Sequence, residues 1–342
     1  MGTMDAPVVR YVTTPDGMQI AYAIAGEGEQ AVLHLPFHHN HVLSRWSGPS
    51  WFRGMAEHFR VVHYDSRGQG MSTRDLAEDP TIDDYRCDLD TVLDATGLEK
   101  FALVAYGGFG HIALRYAVEN PDRVTGLILI CSCASFRAWT RSAFLDVAEE
   151  NWDLFLELQT RKFPSEFQPR LIEWLKGMSS QSDYVRLVRC FLTGSDVSDL
   201  LPLVSIPTLL LHSLDQHWLA PAEGANVAAR IPGARIMFTD GDVEPDDRQG
   251  VSAIVGFLKG ITAPEPIGPT PSGTITSIAP LSTRQLQVLH LISEGKRTRE
   301  IAEALVLSER TIERHIADVY AKIGARNRSE ATAYILGQLR NS

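Results

Sequence analysis

Six apolar runs of strand length restrict the fold of residues 31–238 more than any other feature of this sequence. Each run is almost continuously hydrophobic, and segments of helical period lie between several of them. The runs are residues 31–35, 61–64, 101–105, 126–130, 208–212 and 234–238. Strands that are apolar on both faces are typical of a mostly parallel sheet with helices on each side. The sequence therefore predicts an α/β fold.

Two of the intervening helices are marked by their ends, and a third region breaks the alternation. Residues 81–96 stop at Gly97, and residues 108–119 stop at Asn120-Pro121; both are helix-ending signals. Between about 134 and 200 the period is helical and aromatic residues are dense: Phe136, Trp139, Phe144, Trp152, Phe155, Phe163, Phe167, Trp174, Tyr184 and Phe191. This pattern predicts an inserted helical cap over an apolar pocket. A simple helical core is the alternative.

A Pro-rich segment at residues 261–279 divides the chain. It contains four prolines, two glycines and one charged residue, and it has no periodic apolar face. Such a composition prevents a helix and favours an extended, semi-rigid linker. We therefore expect a first domain over residues 1–260 and a second over residues 280–342.

Charge is divided unevenly between these domains. The chain of 342 residues has a net charge of -10. Residues 280–342 hold ten basic and seven acidic residues, a balance of +3, and the remaining 22 basic and 35 acidic residues give -13. Phosphates are thus tolerated by the second domain and repelled by the first.

The composition also indicates a cellular compartment. No apolar run of about 18 residues is present, and the first residues lack the pattern of a signal peptide. The four cysteines predict reduced thiols in a cytoplasmic protein, with Cys131 and Cys133 packed and inert rather than metal-binding.

Several motifs sit where successive predicted strands end. Pro36-Phe37 follows the run at 31–35, and Asp65-Ser66-Arg67-Gly68-Gln69-Gly70-Met71-Ser72 follows the run at 61–64. Tyr106-Gly107-Gly108-Phe109-Gly110 follows the run at 101–105, and Asp215 follows the run at 208–212. Over residues 8–260 this order resembles the α/β-hydrolase fold with a helical cap. The resemblance implies an oxyanion-hole loop near Phe37, a nucleophile turn after the third of these strands, and a catalytic acid at Asp215.

The resemblance also shows where the hydrolase chemistry is missing. Serine-type hydrolysis needs a nucleophile, a base that takes its proton, and an acid that orients the base. The nucleophile position falls on Gly107, and residues 102–111 contain no Ser, Cys, Thr or Asp. The base position falls on Asp242, and no histidine occurs between His217 and His290. We therefore predict that this domain is not an enzyme of the serine-hydrolase type.

A pocket without these groups could still bind a ligand. Gly107 would let a ligand approach the backbone closely, or it serves only a tight turn. Trp218 would stack on a ligand ring, or it packs under the cap. Asp215 and Asp242 would repel each other, share a proton or form salt bridges elsewhere. The predicted pocket residues are Phe37, His38, His39, Tyr106, Gly107, Gly108, Trp139, Asp215, Trp218 and Asp242.

The cluster His38-His39-Asn40-His41 is unusual. Neighbouring residues rarely supply a complete metal shell by themselves, so hydrogen bonding to a ligand or surface roles are expected and no metal or cofactor is predicted. His111, at the start of the helix after Gly107, is expected to be structural.

The second domain carries the most specific pattern. Ser282-Thr283-Arg284-Gln285 forms a capping box before a helix that ends at Gly295. Thr298 is expected to cap a short helix with Ile301, Ala302 and Leu305, and Ser308 to cap residues 309–323, whose buried face is Ile312, Ile316, Val319 and Ile323. Two helices joined by a tight turn are what a helix-turn-helix requires.

This segment resembles the LuxR-type DNA-binding domain over nearly its whole length. The matching residues are Leu281–Gln285 in the opening, Glu294-Gly295, Glu300-Ile301-Ala302, Ser308 to His315, and Lys322 to Arg328. Gln285 and Glu313 depart from the usual residues, so the bases that are read stay open. The resemblance implies DNA contacts by Thr298, Arg299, Ser308, Arg310, Thr311, Glu313, Arg314, His315 and Arg328.

Together the two halves predict a one-component transcription regulator. Its expected partners are double-stranded DNA, a small apolar or aromatic effector, a second copy bound through residues 329–339, and RNA polymerase, with no membrane association. Two alternatives stay open: a regulator with unconventional enzyme activity from the histidine cluster, and a first domain that serves only protein contacts.

Overall fold

The computed structural model of this chain describes two compact units, residues 1–263 and residues 264–342. The described residues are 6–37, 39–43, 51–136, 143–161, 165–194, 196–213, 219–239, 248–262, 288, 296, 298–305 and 308–323. The first unit contains the sheet and most of the described helices.

An eight-stranded sheet forms the centre of the first unit. Its strands are β1 (Val9–Thr13), β2 (Gln19–Ala25), β3 (Ala31–His34), β4 (Arg60–Tyr64), β5 (Phe101–Tyr106), β6 (Val124–Ile130), β7 (Thr208–Ser213) and β8 (Arg235–Thr239). The order is β1-β2-β4-β3-β5-β6-β7-β8. Strands β3 to β8 run parallel, whereas β1 and β2 form antiparallel pairs. The six predicted strands and the mostly parallel sheet are confirmed.

The hairpin of β1 and β2 was not among the predicted strands. Strand β1 lies at the edge of the sheet, with Arg10, Tyr11 and Thr13 exposed and its two valines only half-buried. An edge strand of this kind has no continuous apolar run, so the pattern that identifies the central strands does not identify it.

Helices cover the sheet, and four of them lie between β6 and β7. The helices are α1 (Trp51–Ala56), α2 (Ile82–Thr96), α3 (Phe109–Glu119), α4 (Ala143–Glu150), α5 (Trp152–Thr160), α6 (Gln168–Met178), α7 (Gln181–Gly194), α8 (Pro221–Arg230) and α9 (Arg248–Thr262). Helix α2 begins at a capping box of Thr81 and Asp84 and ends at Gly97, whose φ is +62°. Helices α4 to α7 form the helical cap.

Side chains of the central strands alternate between two cores. Leu103 and Ala105 of β5 belong to the core on the side of α2 and α3, whereas Ala102 and Val104 pack with residues of α1 and α9. This alternation is the normal period of a strand. Burial on both faces explains why β5 is apolar throughout.

Helix α9 extends two residues into the segment predicted as the linker. Ile261 packs on the sheet, and its Cδ1 would lie 3.0 Å from a Cβ atom added at Gly126. Of the rest of that segment, residues 263–279 lie outside the described residues. Among the described helices, none combines the length and apolar character that crossing a bilayer requires.

The second unit contains two described helices, α10 (Thr298–Leu305) and α11 (Glu309–Ile323). Ile301, Ala302, Ile312 and Val319 are buried between and around them. Both helices lie where the sequence predicts them.

Candidate functional site

The parallel strands deliver several loops to one edge of the sheet. Tyr106 pairs with Ile130, Ile130 pairs with Leu211, and Ser213 pairs with Thr239. The carboxyl ends of β5 to β8 therefore lie side by side, which is where open α/β sheets bind ligands. Asp215 follows Ser213 by two residues and Asp242 follows Thr239 by three.

Five predicted pocket residues lie outside the described residues. They are His38, Trp139, Asp215, Trp218 and Asp242. Their contribution to the pocket stays a prediction.

The turn between β5 and α3 is sharp and hydrogen-bonded. Gly107 has a φ of +55°, a region that favours glycine. Its amide donates to the carbonyl of Ile130 at 2.9 Å, and its carbonyl accepts from the amide of Gly110 at 3.0 Å. Gly107 thus forms the tight turn, in the place where the resemblance puts the nucleophile.

The cap packs directly on this turn. A Cβ atom at Gly108 would lie 2.6 Å from Cγ of Phe191 on α7, which is closer than packed atoms approach. The Phe191 ring also stacks on Tyr85, with ring centroids 5.7 Å apart. Glycine at position 108 is therefore required by the packing of α7.

One hydroxyl lies near the turn, but it is engaged with the backbone. Ser132 is buried, and its Oγ donates to the carbonyls of Gly107 and Ile130, each at 3.2 Å. A Cβ atom at Gly110 would lie only 2.5 Å from this oxygen. Ser132 therefore stabilises the turn from below.

The two cysteines after β6 are buried and form no disulfide, as predicted. Cys131 has a φ of +45°, an uncommon conformation for a residue with a side chain. Burial raises the pKa of the Cys133 thiol to about 12. The neutral thiol is a poor nucleophile, so the prediction of an inert pair is consistent with this environment.

His111 on α3 is a structural residue, as predicted. It is buried, and its Nε2 donates to the carbonyl oxygen of Cys133 at 2.8 Å. Burial lowers the pKa of His111 to about 4, and the hydrogen bond to Cys133 opposes this shift only partly. The imidazole is neutral at pH 7 and uses this nitrogen as a donor.

The loop after β3 is held by two buried residues whose contacts the sequence analysis did not predict. Asn40 Nδ2 donates to the carbonyl of Tyr64 at 2.9 Å and to Asp65 Oδ1 at 2.7 Å. Asp65 Oδ2 accepts from the amides of Val42 and Met71. Both side chains are fully buried. The aspartate that opens the motif at residues 65–72 thus fixes this loop.

This loop also brings two predicted pocket residues together. The Phe37 carbonyl accepts a hydrogen bond from Gln69 Nε2 at 3.0 Å. The rings of Phe37 and Tyr106 lie 5.6 Å apart between their centroids. Phe37 therefore lies beside the end of β5, as the prediction requires.

His39 and His41 contact different neighbours. His39 is buried and stacks on Tyr184 of α7, whereas His41 is half-buried and its Nδ1 accepts from the amide of Leu43. Burial lowers the pKa of His41. In the described part of the chain, no three His, Cys, Asp or Glu side chains are grouped so that they could hold a metal ion.

A partly buried ion cluster, with Arg67 and Asp88 buried and Asp16 exposed, anchors the same motif on its other side. The Arg67 guanidinium lies 2.8 Å from Asp88 Oδ1 and 2.7 Å from Asp16 Oδ2. Burial raises the pKa of Asp88 to about 6, although its hydrogen bonds with Arg67 oppose this shift. Neither carboxylate was predicted, because each is distant from Arg67 in sequence.

Hydrogen bonds from cap side chains to backbone groups tie the cap to this motif and to the residues that follow it. Asp183 of α7 is buried and accepts from the amides of Asp75 and Leu76 at 2.7 and 3.0 Å. Ser179 Oγ donates to the carbonyl of Gly68 at 3.0 Å. The start of α7 is therefore fixed to the segment that follows β4.

In the second unit, Ser308 caps α11 as predicted. Its Oγ accepts from the amide of Thr311 at 3.2 Å. The predicted DNA-contact residues Arg299, Ser308, Arg310, Glu313 and Arg314 are exposed, and Thr298 and Thr311 are half-buried. The side chains of His315 and Arg328 lie outside the described residues. The first turns of α11 thus present a polar surface of the kind that reads a major groove.

Two family models match separate parts of the chain. Residues 279–335 match the bacterial regulatory proteins of the luxR family. Residues 37–173 match the alpha/beta hydrolase fold.

Among the known proteins that resemble part of the chain are several named as putative carbamate hydrolases. A protein named "Putative carbamate hydrolase RutD" from Caulobacter sp. (strain K31) is 34% identical over 87 residues, which are 25% of this chain and 32% of that protein. The matched segment thus spans about a third of this relative's length.

Solved structures agree with the fold of the first unit. The enol-lactonase from Burkholderia xenovorans LB400 has a TM-score of 0.60 at 19% identity, covering 74% of this chain and 99% of its own. A hydrolase from Pseudomonas aeruginosa PA01 has a TM-score of 0.61 at 21% identity, covering 76% and 100%.

The chain therefore joins a domain of the α/β-hydrolase fold to a C-terminal LuxR-type helix-turn-helix domain. The second domain indicates DNA binding and a role as a regulator.

Proposed function

We propose that this chain is a one-component transcription regulator whose hydrolase-fold domain senses a small molecule and does not hydrolyse it. The observation that carries the proposal is Gly107 at the turn between β5 and α3, in a chain that also carries a LuxR-type domain. Glycine has no side chain with which to attack a carbonyl carbon.

The other groups near this turn do not replace a nucleophile and base. Ser132 donates to two backbone carbonyls, His111 donates to Cys133, and the Cys133 thiol stays protonated at pH 7. Removal of members of a catalytic triad costs several orders of magnitude in rate. These arrangements support a domain that binds without serine-type catalysis.

The effector class follows from the groups at the carboxyl edge of the sheet. Phe37 and Tyr106 offer aromatic surface, and Gly108 begins the first turn of α3. Amides at a helix start favour a carbonyl or carboxylate oxygen. We infer an effector with an apolar or aromatic body and one such polar group, with His38, His39, Trp139, Asp215, Trp218 and Asp242 completing the pocket.

Regulation would require two states that bind the effector differently. We propose that the chain binds double-stranded DNA as a homodimer, with residues 329–339 as the contact, and that RNA polymerase is a further partner. Effector binding would change the cap or the dimer and so alter the position of two recognition helices.

A thermal-shift screen of the full chain against small aromatic and aliphatic carboxylates and esters tests this proposal. A ligand at 100 times its Kd is expected to add about 2.7 kcal/mol to the stability of the domain that binds it. The same ligand should change the affinity of the chain for duplex DNA. A bound ligand that leaves DNA affinity unchanged, or that is consumed at an enzymatic rate, would contradict the proposal.

A second candidate is a regulator that also hydrolyses its ligand. The resemblance to a hydrolase named for carbamates favours it. The test is turnover of carbamates and esters that is lost in His38→Ala, which would assign the activity to the histidine cluster.

A further inference from the structure

His39 connects the loop after β3 to the cap. Its imidazole is 7% exposed and stacks on the Tyr184 ring of α7, with centroids 4.6 Å apart and planes 16° from parallel. Trp152 and Phe155 of α5 lie on the same imidazole, each with a centroid distance of 6.4 Å. Three aromatic rings from two cap helices therefore surround one side chain from the loop.

The next residue connects the same loop to the sheet. Asn40 is fully buried and donates to Tyr64 and Asp65, which end and follow β4. The side chain of His39 thus contacts the cap, and the side chain of Asn40 contacts the end of strand β4. The φ of +64° at His39, uncommon for a residue with a side chain, gives the backbone the conformation in which both contacts form.

This arrangement has a mechanical consequence. Packed aromatic groups do not slide past each other continuously, because protein interiors are close-packed. Helices α5 and α7 therefore cannot move away from the sheet without separating the His39 ring from Tyr184 or pulling on the segment held by Asn40. The same loop contains Phe37, which lies beside Tyr106 at the candidate site.

We propose that His39 is a positioning residue that couples the cap to the loop at residues 39–43, so that a displacement of either one displaces the other. The coupling itself depends only on these contacts. A role of this coupling in signalling rests on the proposed function, because an effector that binds under the cap would then also displace the loop.

Hydrogen exchange of the full chain tests the coupling. In His39→Ala, amides of the loop and of α5 and α7 should exchange faster together, by about tenfold, as expected for loss of one buried aromatic contact. His39→Phe keeps a flat ring and should restore slow exchange in both segments. Leu158→Ala, at an exposed site on α5, is the matched control and should leave the loop unchanged.

A substitution from the cap side keeps the test decisive if His39→Ala does not fold. Tyr184→Leu should accelerate exchange at residues 39–43, although these residues are distant in sequence. Acceleration confined to the segment that carries the substitution would overturn the proposal. If coupled exchange is observed but no ligand is found in the thermal-shift screen, the coupling through His39 is supported and only the proposed sensor function is weakened.

Discussion

Two helix starts in this chain differ in what they provide for chemistry. The turn before α3 has the backbone form of a reactive turn, with Gly107 at positive φ and its amide bonded to Ile130. The turn before α11 has both the backbone form, capped by Ser308, and exposed Arg310 and Arg314 beside it. The comparison teaches that the shape of a site and its functional groups are separable.

The physical reason lies in what determines each turn. Sheet packing, the Phe191 contact and glycines at 107, 108 and 110 support the first turn, and none of them requires a nucleophilic side chain. A fold can therefore keep this geometry while its chemistry is absent. At α11, in the proposed function, the exposed side chains themselves make the DNA contacts.

The largest expected effect concerns the second turn. Arg310→Ala and Arg314→Ala should each weaken binding to duplex DNA by about 1–3 kcal/mol, or roughly 5- to 150-fold, because each removes a charge that we propose contacts phosphate or a base edge. Fluorescence anisotropy at fixed salt measures the change. Arg161→Ala, at an exposed arginine after α5, should leave the affinity unchanged.

The slope of log affinity against log salt concentration tells a phosphate contact from a base contact at each of these two arginines. Removal of a phosphate contact should reduce the magnitude of this slope by about one. If neither variant changed affinity or slope, α11 would not be the DNA-reading helix.

The dependence of folding stability on pH should test whether His111, beside the first turn, is a buried neutral structural histidine. The pKa of His111 is about 4 in the folded chain and about 6.5 when unfolded. Because the unfolded chain binds the proton more tightly, the stability from this group is present above pH 6.5 and lost as pH falls toward 4, by about 3 kcal/mol.

His111→Gln can keep the hydrogen bond to Cys133 and removes the titration. Denaturant unfolding between pH 4 and 7 should show a smaller loss of stability at low pH than in the unaltered chain. Equal pH profiles for the two proteins would show that His111 does not carry this dependence.

Packing at the first turn should be sensitive to a single methyl group. Gly108→Ala places Cβ against the Phe191 ring and should destabilise the first unit by about 1–3 kcal/mol, since overpacking forces the ring to shift. Combining it with Phe191→Leu should cost less than the sum of the two changes. Additive effects would mean that α7 does not pack on this turn.

The smallest effect is expected at the cap of α11. Ser308→Ala should destabilise the helix-turn-helix unit by about 1 kcal/mol, because the amide of Thr311 loses its side-chain acceptor and keeps only the Ser308 carbonyl. Ser308→Asp supplies another acceptor and should retain most of the stability. Urea unfolding followed by circular dichroism compares the three proteins, and equal midpoints would argue against the cap.

The sequence predicts elements whose signals are local. The central strands are apolar throughout, α2 has caps at both ends, and α11 has Ser308 before its buried stripe. These features depend on neighbours along the chain, so periodicity and capping rules identify them.

The missed contacts join residues that are far apart in the chain. Asn40 bonds to Asp65, and Asp183 bonds to an amide 108 residues before it. Each of these side chains is polar in a sequence that gives no reason to bury it. The partners become evident only when the sheet and the cap bring them together, so the candidate site was predicted less completely than the fold.

Ester turnover by the full chain tests the central claim most directly. Rates with p-nitrophenyl acetate and butyrate should stay at the residual level, at most about 10³–10⁴-fold over water, with Gly107→Ser alone giving no gain. The double variant Gly107→Ser with Asp242→His should hydrolyse these esters faster than the unaltered chain and faster than Gly107→Ser alone. A kcat of roughly 1–10³ s⁻¹ for the unaltered chain, the ordinary range of enzymes, would contradict the account.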